Sequence, residues 1–252
     1  EEKLLALSGT NNGLIAKRIQ FHGRAAHAGG SPEQGVNALN AAMLALSAIH
    51  TQRETFRDQD TVRVHPIITK GGTAVSSVPS DVRMETFVRG KTWEAIKNAE
   101  EKVDRCLRAG ALAVGGTVTI DTLPGYLPLH NDPHLANLYK TNAVSLVGES
   151  NVFQINHRTG STDMGDLSQL MPAIHPYAGG ATGNGHGSDY LIQNWDNAII
   201  TAAKGMAFTV IDLLMNGAQK AQEIKSNHTP IITKPEYLKF MRQVARTEEF
   251  TE

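Results

Sequence analysis

The chain has 252 residues, enough for one large domain or two ordinary ones, and its 40% hydrophobic and 19% charged content is that of a folded protein with a real core. A net charge of −1 excludes electrostatic steering toward nucleic acid or an anionic membrane. No apolar run reaches the roughly 20 residues that span a bilayer, no signal peptide is visible at the start, and the single cysteine, Cys106, excludes an intrachain disulfide and fits a reducing, cytoplasmic setting. The chain opens on Glu1 instead of Met, the mark of processing or truncation.

Residues 14–22 alternate, with Ile15, Ile19 and Phe21 on one face and Arg18, Gln20 and His22 on the other, the pattern of a half-buried strand. The stretch FHGRAAHAGGSPEQGVNAL, residues 21–39, then carries His27 on a glycine-rich connection. A helix follows. Ser31 and Gln34 make an S-x-x-Q capping box around Pro32, and Val36, Leu39, Met43 and Leu46 recur at helical spacing as far as His50. Thr61 to Thr69 reads as a second strand, with Pro66 marking an edge or bulge. Val82, Met84, Thr86 and Val88 alternate against Arg83, Glu85, Phe87 and Arg89 in a third. Thr92 caps a helix with the buried stripe Ile96, Ala99, Val103 and Cys106. Gly115-Gly116 ends that connection, and Thr117 to Leu123 is a fourth strand.

The order β-α-β-β-α-β over residues 13–124 predicts a ferredoxin-like unit with two helices on one face of a four-stranded sheet. The other sheet face, or an edge strand, is left free for a partner. Residues 125–252 read differently. Asp132-Pro133 starts a helix to about Leu146, and Val152 to Ile155 is a short strand. His157 to Asp189 is mostly loop with one short helix. Asp196 caps an apolar helix to about Met215, broken by Thr209 and Asp212, and the charged tail is an exposed helix. A sheet-poor half with so apolar a helix is hard to fold alone. We therefore expect residues 1–12 and 125–252 to be parts of a larger α/β domain that lies mostly before Glu1, with the α+β unit inserted into it.

Four positions in the first part have side chains or backbone suited to a ligand. His27, on a loop between rigid elements, can meet a ligand or simply be a surface histidine. Arg89, beside Gly90 at a strand end, can hold a carboxylate through two hydrogen bonds or be solvated. Asn37 can donate to a carboxylate or bond to local backbone. Gly71-Gly72, in the loop TKGGTAVSSVP, permits close backbone approach. In the second part, Gly160 to Tyr190 gathers Asp163, Asp166, His175, His186 and Asp189, either zinc-type ligands or a polar loop with Asp163 as a helix cap. H-E-x-x-H and C-x-x-C spacings, a nucleophile elbow, a P-loop and a dinucleotide fingerprint are all absent.

The segments GRAAHAGGSPEQGVNAL, GGTAVSSVP followed by FVRG, PGYLPLHND, GSTDMGDLSQLMPAIHPYAGG and GHGSDY cover most of residues 13–215. In this order they resemble the dinuclear metallopeptidase and aminoacylase family that includes glutamate carboxypeptidase, with the nearest likeness to p-aminobenzoyl-glutamate hydrolase subunits and related amidohydrolases. The resemblance implies that residues 13–124 are a lid that also dimerises, between an end of the N-terminal catalytic segment (1–12) and a C-terminal catalytic segment (125–252). It implies that His27 stabilises the oxyanion in the partner subunit's site, that Asn37 and Arg89 bind the substrate's carboxylate, that Gly72 helps position substrate, and that His186 is a metal ligand. It further implies two divalent metal ions, zinc or manganese, a small amide substrate with a free carboxylate, and a homodimer or a heterodimer with a related subunit. The family's first metal histidine, bridging aspartate and Glu-Glu pair lie upstream of the lid and are not in this chain, and Ser76 stands where the family has a loop asparagine. The chain is thus expected to carry one metal ligand and to be inactive alone. The rival reading is a non-catalytic partner subunit or dimerisation module. A weaker third is a small-ligand regulatory domain, by fold analogy.

Overall fold

The computed structural model describes residues 5–251. In chain order, β1 (Leu5–Asn11) and β2 (Gly13–His22) lead to α1 (Ala38–Thr51), β3 (Arg63–Val64), β4 (Ile67–Lys70), β5 (Asp81–Gly90), α2 (Trp93–Leu112) and β6 (Thr117–Tyr126). Then follow β7 (Leu129–His130), α3 (Pro133–Val147), β8 (Val152–Arg158), α4 (Met164–Leu170), β9 (Pro176–Ala178), β10 (Ala181–Thr182) and β11 (Leu191–Ile192). The chain ends with α5 (Ala202–Asn227), α6 (Lys234–Val244) and β12 (Arg246–Phe250). It forms two compact units. One holds the described residues up to Asn11 with 129–158 and 162–233; the other holds 12–128, 159–161 and the residues from Lys234 onward.

The second unit is the ferredoxin-like layer, and its βαββαβ order is as expected. Its sheet runs β12-β6-β2-β5-β3, with β4 also on β5, all antiparallel. Ile15, Ile19, Phe21, Met84, Val88 and Ile120 point to the helices and pack with Ala41, Ala45, Ile96 and Val103. The small residues of α1 let α2 approach closely: a Cβ on Gly110 would lie 2.4 Å from the Ala41 carbonyl oxygen. The expected second strand is split at Pro66, which has no N–H to give to β5, into the short edge segments β3 and β4.

Three features depart from expectation. First, α1 begins at Ala38, not Pro32. Residues 32–34 form a separate 3-10 turn, Ser31 caps nothing, and Asn37 is the cap. The reason is that Val36 exchanges both backbone hydrogen bonds with Arg24 and so cannot join a helix. Second, the tail does not stay with the C-terminal segment. α6 and β12 belong to the lid unit; β12 pairs along β6, and Trp93 meets Phe240 edge to face at 4.5 Å. Third, the buried face of β2 includes Lys17. Its side chain is fully buried, and its Nζ reaches Glu100 at 3.0 Å, Asp104 at 2.8 Å and the Thr122 hydroxyl at 2.8 Å. Arg246 of β12 joins this group through Glu100 at 2.7 Å. A hydrophobic period shows neither Lys17 nor the tail that completes its ion network.

In the first unit β1 is central, parallel to β8 and antiparallel to β7 and β9. Its core is small: Leu5, Leu7, Tyr139 and Ala143. Asp132 caps α3, accepting from Leu135 N–H at 2.9 Å. Asp196, expected as a cap, instead opens a π-helical turn, Asp196–Thr201, that runs into α5. Contrary to expectation, Asp196–Asn227 is long and apolar enough to cross a membrane by length and composition alone. Its interior is interrupted, however: Met215 to Ala218 leave helical geometry, and Asp212 accepts from Asn142 at 2.7 Å. Ile199, Met206, Val210, Ile211 and Leu214 are exposed along it.

Candidate functional site

The loop after β2 is tied to the loop before β5. Gly23 N–H donates to Ser80 O, Val78 N–H to Ala26 O, and Ala28 N–H to Ser76 O, with a bridge between His27 and Ser77. These bonds hold His27 on an exposed ledge. Gly29 and Gly30 N–H both donate to His27 Nδ1, at 3.2 and 2.9 Å. An Nδ1 that accepts cannot carry the proton of a neutral imidazole, so the proton sits on Nε2. His27 thus presents an N–H donor outward, as an oxyanion donor must.

Asn37 lies close to this loop in the chain: the next residue, Ala38, donates its N–H to Pro79 O. Asn37 Oδ1 is occupied as the helix cap, accepting from Leu39 and Asn40 N–H at 2.9 and 3.1 Å. That leaves its Nδ2 hydrogens as the groups a ligand can use. Gly72 lies in the same pair of loops, with φ +141°, where any side chain is strained, and with Pro79 against it. Lys70 and Asp81, at the two ends of that loop, are joined by a salt bridge.

Arg89 is elsewhere. The loop pair lies beyond the Asp81 end of β5, while Arg89 pairs with Leu14 at the other end. At about 3.4 Å per residue, Asp81 and Arg89 are roughly 27 Å apart. The structure therefore brings together His27, Asn37 and Gly72 but not Arg89. One lid cannot place Asn37 and Arg89 on the same carboxylate. Arg89 has its Nε buried without a hydrogen-bond partner, and its guanidinium lies 5.3 Å from the Phe87 ring centroid. Arg63 stands directly opposite Arg89, a pairing that only strand register shows.

In the first unit, His186 is exposed with φ 67°, on the connection between β10 and β11. Asp189 Oδ1 accepts from Asn184 N–H within that connection, giving it a structural role. Asp163 precedes α4 without capping it; Thr162 Oγ1 accepts from Met164 N–H instead. His175 stacks edge to face on Tyr177 at 4.9 Å, and burial pushes its pKa down. Among the described residues no three His, Cys, Asp or Glu side chains gather as a metal site. His186 supplies one imidazole, which does not make a binding site for a metal pair by itself.

The peptidase dimerisation domain family matches residues 10–114, which run from β2 through α2 of the ferredoxin-like unit. The mouse Xaa-Arg dipeptidase is 32% identical over 208 residues, covering 79% of this chain and 48% of that protein. The chain belongs to the metallopeptidase and aminoacylase family. A further relative, the indole-3-acetyl-aspartic acid hydrolase of Enterobacter agglomerans, is 28% identical over 158 residues, 62% of this chain and 36% of that protein. The fold is shared with a hydantoinase/carbamoylase family amidase from Burkholderia vietnamiensis (TM-score 0.71, 15% identity, 85% of this chain and 51% of that one). It is shared also with aminopeptidase PepT from Bacillus cereus (TM-score 0.60, 17% identity, 83% and 54%). The chain spans about half the length of the curated relatives it matches.

Proposed function

We propose that this chain is the lid and C-terminal catalytic segment of a metal-dependent amidohydrolase. The intact enzyme hydrolyses the amide of an N-acyl or N-aroyl amino acid with a free carboxylate, of the p-aminobenzoyl-glutamate or dipeptide type. The observation that carries this reading is His27: exposed, and fixed by two glycine N–H groups in the tautomer that donates from Nε2. Such a donor stabilises the oxyanion of a tetrahedral intermediate. Two divalent ions, zinc or manganese, belong to the whole enzyme, with His186 as this chain's ligand and the rest outside these residues. The bare apolar face of α5 is the kind of surface a soluble domain covers, and here it takes that remaining part of the catalytic domain.

The separation of His27 from Arg89 supports a site shared between two lids. His27 and Asn37 of one protomer serve the substrate that Arg89 of the other holds. The edge made by β4 and the outer side of α1, with Ile67, Ile68, Met43 and Leu44 exposed, offers the pairing surface. The same surface favours the rival reading, a dimerisation module without activity. The deciding experiment joins this chain to the catalytic half its relatives possess and measures release of free amino acid from a panel of N-acyl amino acids, with and without chelator. No metal-dependent release would leave the module reading standing.

A further inference from the structure

The outward face of the lid sheet has one row whose charges do not balance. Arg18 stands opposite Glu85 on β5 and Asp121 on β6, ordinary cross-strand compensation. Arg63 stands opposite Arg89, and Arg89 opposite Leu14. Two guanidinium groups thus occupy directly opposed positions with no acid in their row, an arrangement that is destabilising on its own. Among the described residues no salt bridge joins either arginine to a carboxylate. Arg89 Nε is buried and unpartnered.

This row opens on a depression of about 530 Å³ lined by Arg18, Arg63, His65, Glu85, Phe87 and Arg89, with Glu85, its acid, standing opposite Arg18. The volume suits a small molecule. Phe87, 48% exposed, gives it an apolar floor beside the arginines. Directly opposed positions lie about 5 Å apart at Cβ, a span that the two carboxylates of one aspartyl or glutamyl group bridge.

We propose that Arg63 and Arg89 form a two-carboxylate clamp, and that Arg63 selects an acidic amino acid as the released half of the substrate. The inference rests on the reading above, in which Arg89 meets the substrate's carboxylate. Arg63 takes the second, side-chain carboxylate, and the apolar floor takes the methylene stem. A basic or neutral residue leaves Arg63 and Arg89 repelling each other.

The test is titration calorimetry on this chain with N-acetyl-L-glutamate, N-acetyl-L-glutamine and N-acetyl-L-arginine. We expect N-acetylglutamate to bind about tenfold or more tightly than N-acetylglutamine, the loss expected for one charge-assisted contact. Arg63→Gln should bring N-acetylglutamate down to the glutamine level and leave N-acetylglutamine unchanged. Arg89→Gln should weaken both. Arg63 is exposed, so the variant's thermal melt should match the parent's. Equal affinities in the parent, preference for N-acetylarginine, no binding, or an equal effect of Arg63→Gln on both ligands overturns the clamp. Discrimination without hydrolysis in the completed enzyme would remove the reaction and keep the clamp. Hydrolysis without discrimination would do the reverse.

Discussion

His27 and Arg89 belong to one sheet unit yet stand at opposite ends of β5, so one lid cannot bring both to one substrate. A shared site between two lids resolves this, and it makes a direct prediction. In the completed enzyme His27→Ala should lower kcat by about 10²–10³, the usual loss of an oxyanion donor, with an unchanged melt because the side chain is exposed. A mixed dimer of an H27A subunit and an R89A subunit should regain one working site. If the mixture is no more active than its parts, the shared site is wrong.

Asn37 has two possible duties that one substitution separates. Asn37→Asp keeps the Oδ1 that caps α1 but replaces the Nδ2 donors with a negative charge. Stability should hold, while KM for a carboxylate substrate rises. Asn37→Ala should instead lose the cap and cost about 1 kcal/mol of stability. Unchanged KM in N37D would confine Asn37 to capping.

Asp81 fastens the glycine loop beside His27. It accepts from Lys70 at 2.5 Å and from Gln20 at 2.9 Å. These bonds, the Lys70 one foremost, lower its pKa from 3.8 to about 2. Because the folded value lies below the unfolded one, the stabilisation is complete above about pH 4 and is lost as pH falls toward 2. Asp81→Asn should remove that part of the acid dependence. Urea midpoints for both proteins from neutral to acid pH measure it, and parallel curves would show that Asp81 carries none.

Lys17 is the counter-charge of two buried acids. Burial pushes the Asp104 carboxyl above the usual carboxylate range, and Lys17 opposes that shift. Lys17→Met leaves Glu100 and Asp104 with Arg246, and should cost about 3–5 kcal/mol, as broken buried pairs do. The penalty should be largest at neutral pH and shrink as Asp104 takes up its proton. A denaturant midpoint within error of the parent would show that Arg246 alone suffices.

Alternation carried the lid strands well: Ile15, Ile19 and Phe21 face the core, as do Val82, Met84 and Val88. Local chemistry placed the caps Thr92 and Asp132, whose side chains accept the helix N–H groups as their positions imply. It misplaced the start of α1, because the Ser31 box competes with a long-range pairing of Arg24 and Val36 that no local pattern records. It missed β12, a charged strand whose place comes from backbone pairing with β6 and from Arg246 reaching Glu100.

Periodicity and local chemistry set the βαββαβ order of residues 13–124, the family resemblance and the residue types able to hold a carboxylate or an oxyanion. Those depend on periodicity and on neighbours within a few positions. Tertiary structure decided which of them meet. Strand register set Arg63 against Arg89, and two glycine N–H groups chose the tautomer of His27. The length of β5 put His27 and Arg89 too far apart to share a substrate within one lid. Distance and register are properties of the folded backbone, and residues far apart in the chain acquire them only when the sheet forms.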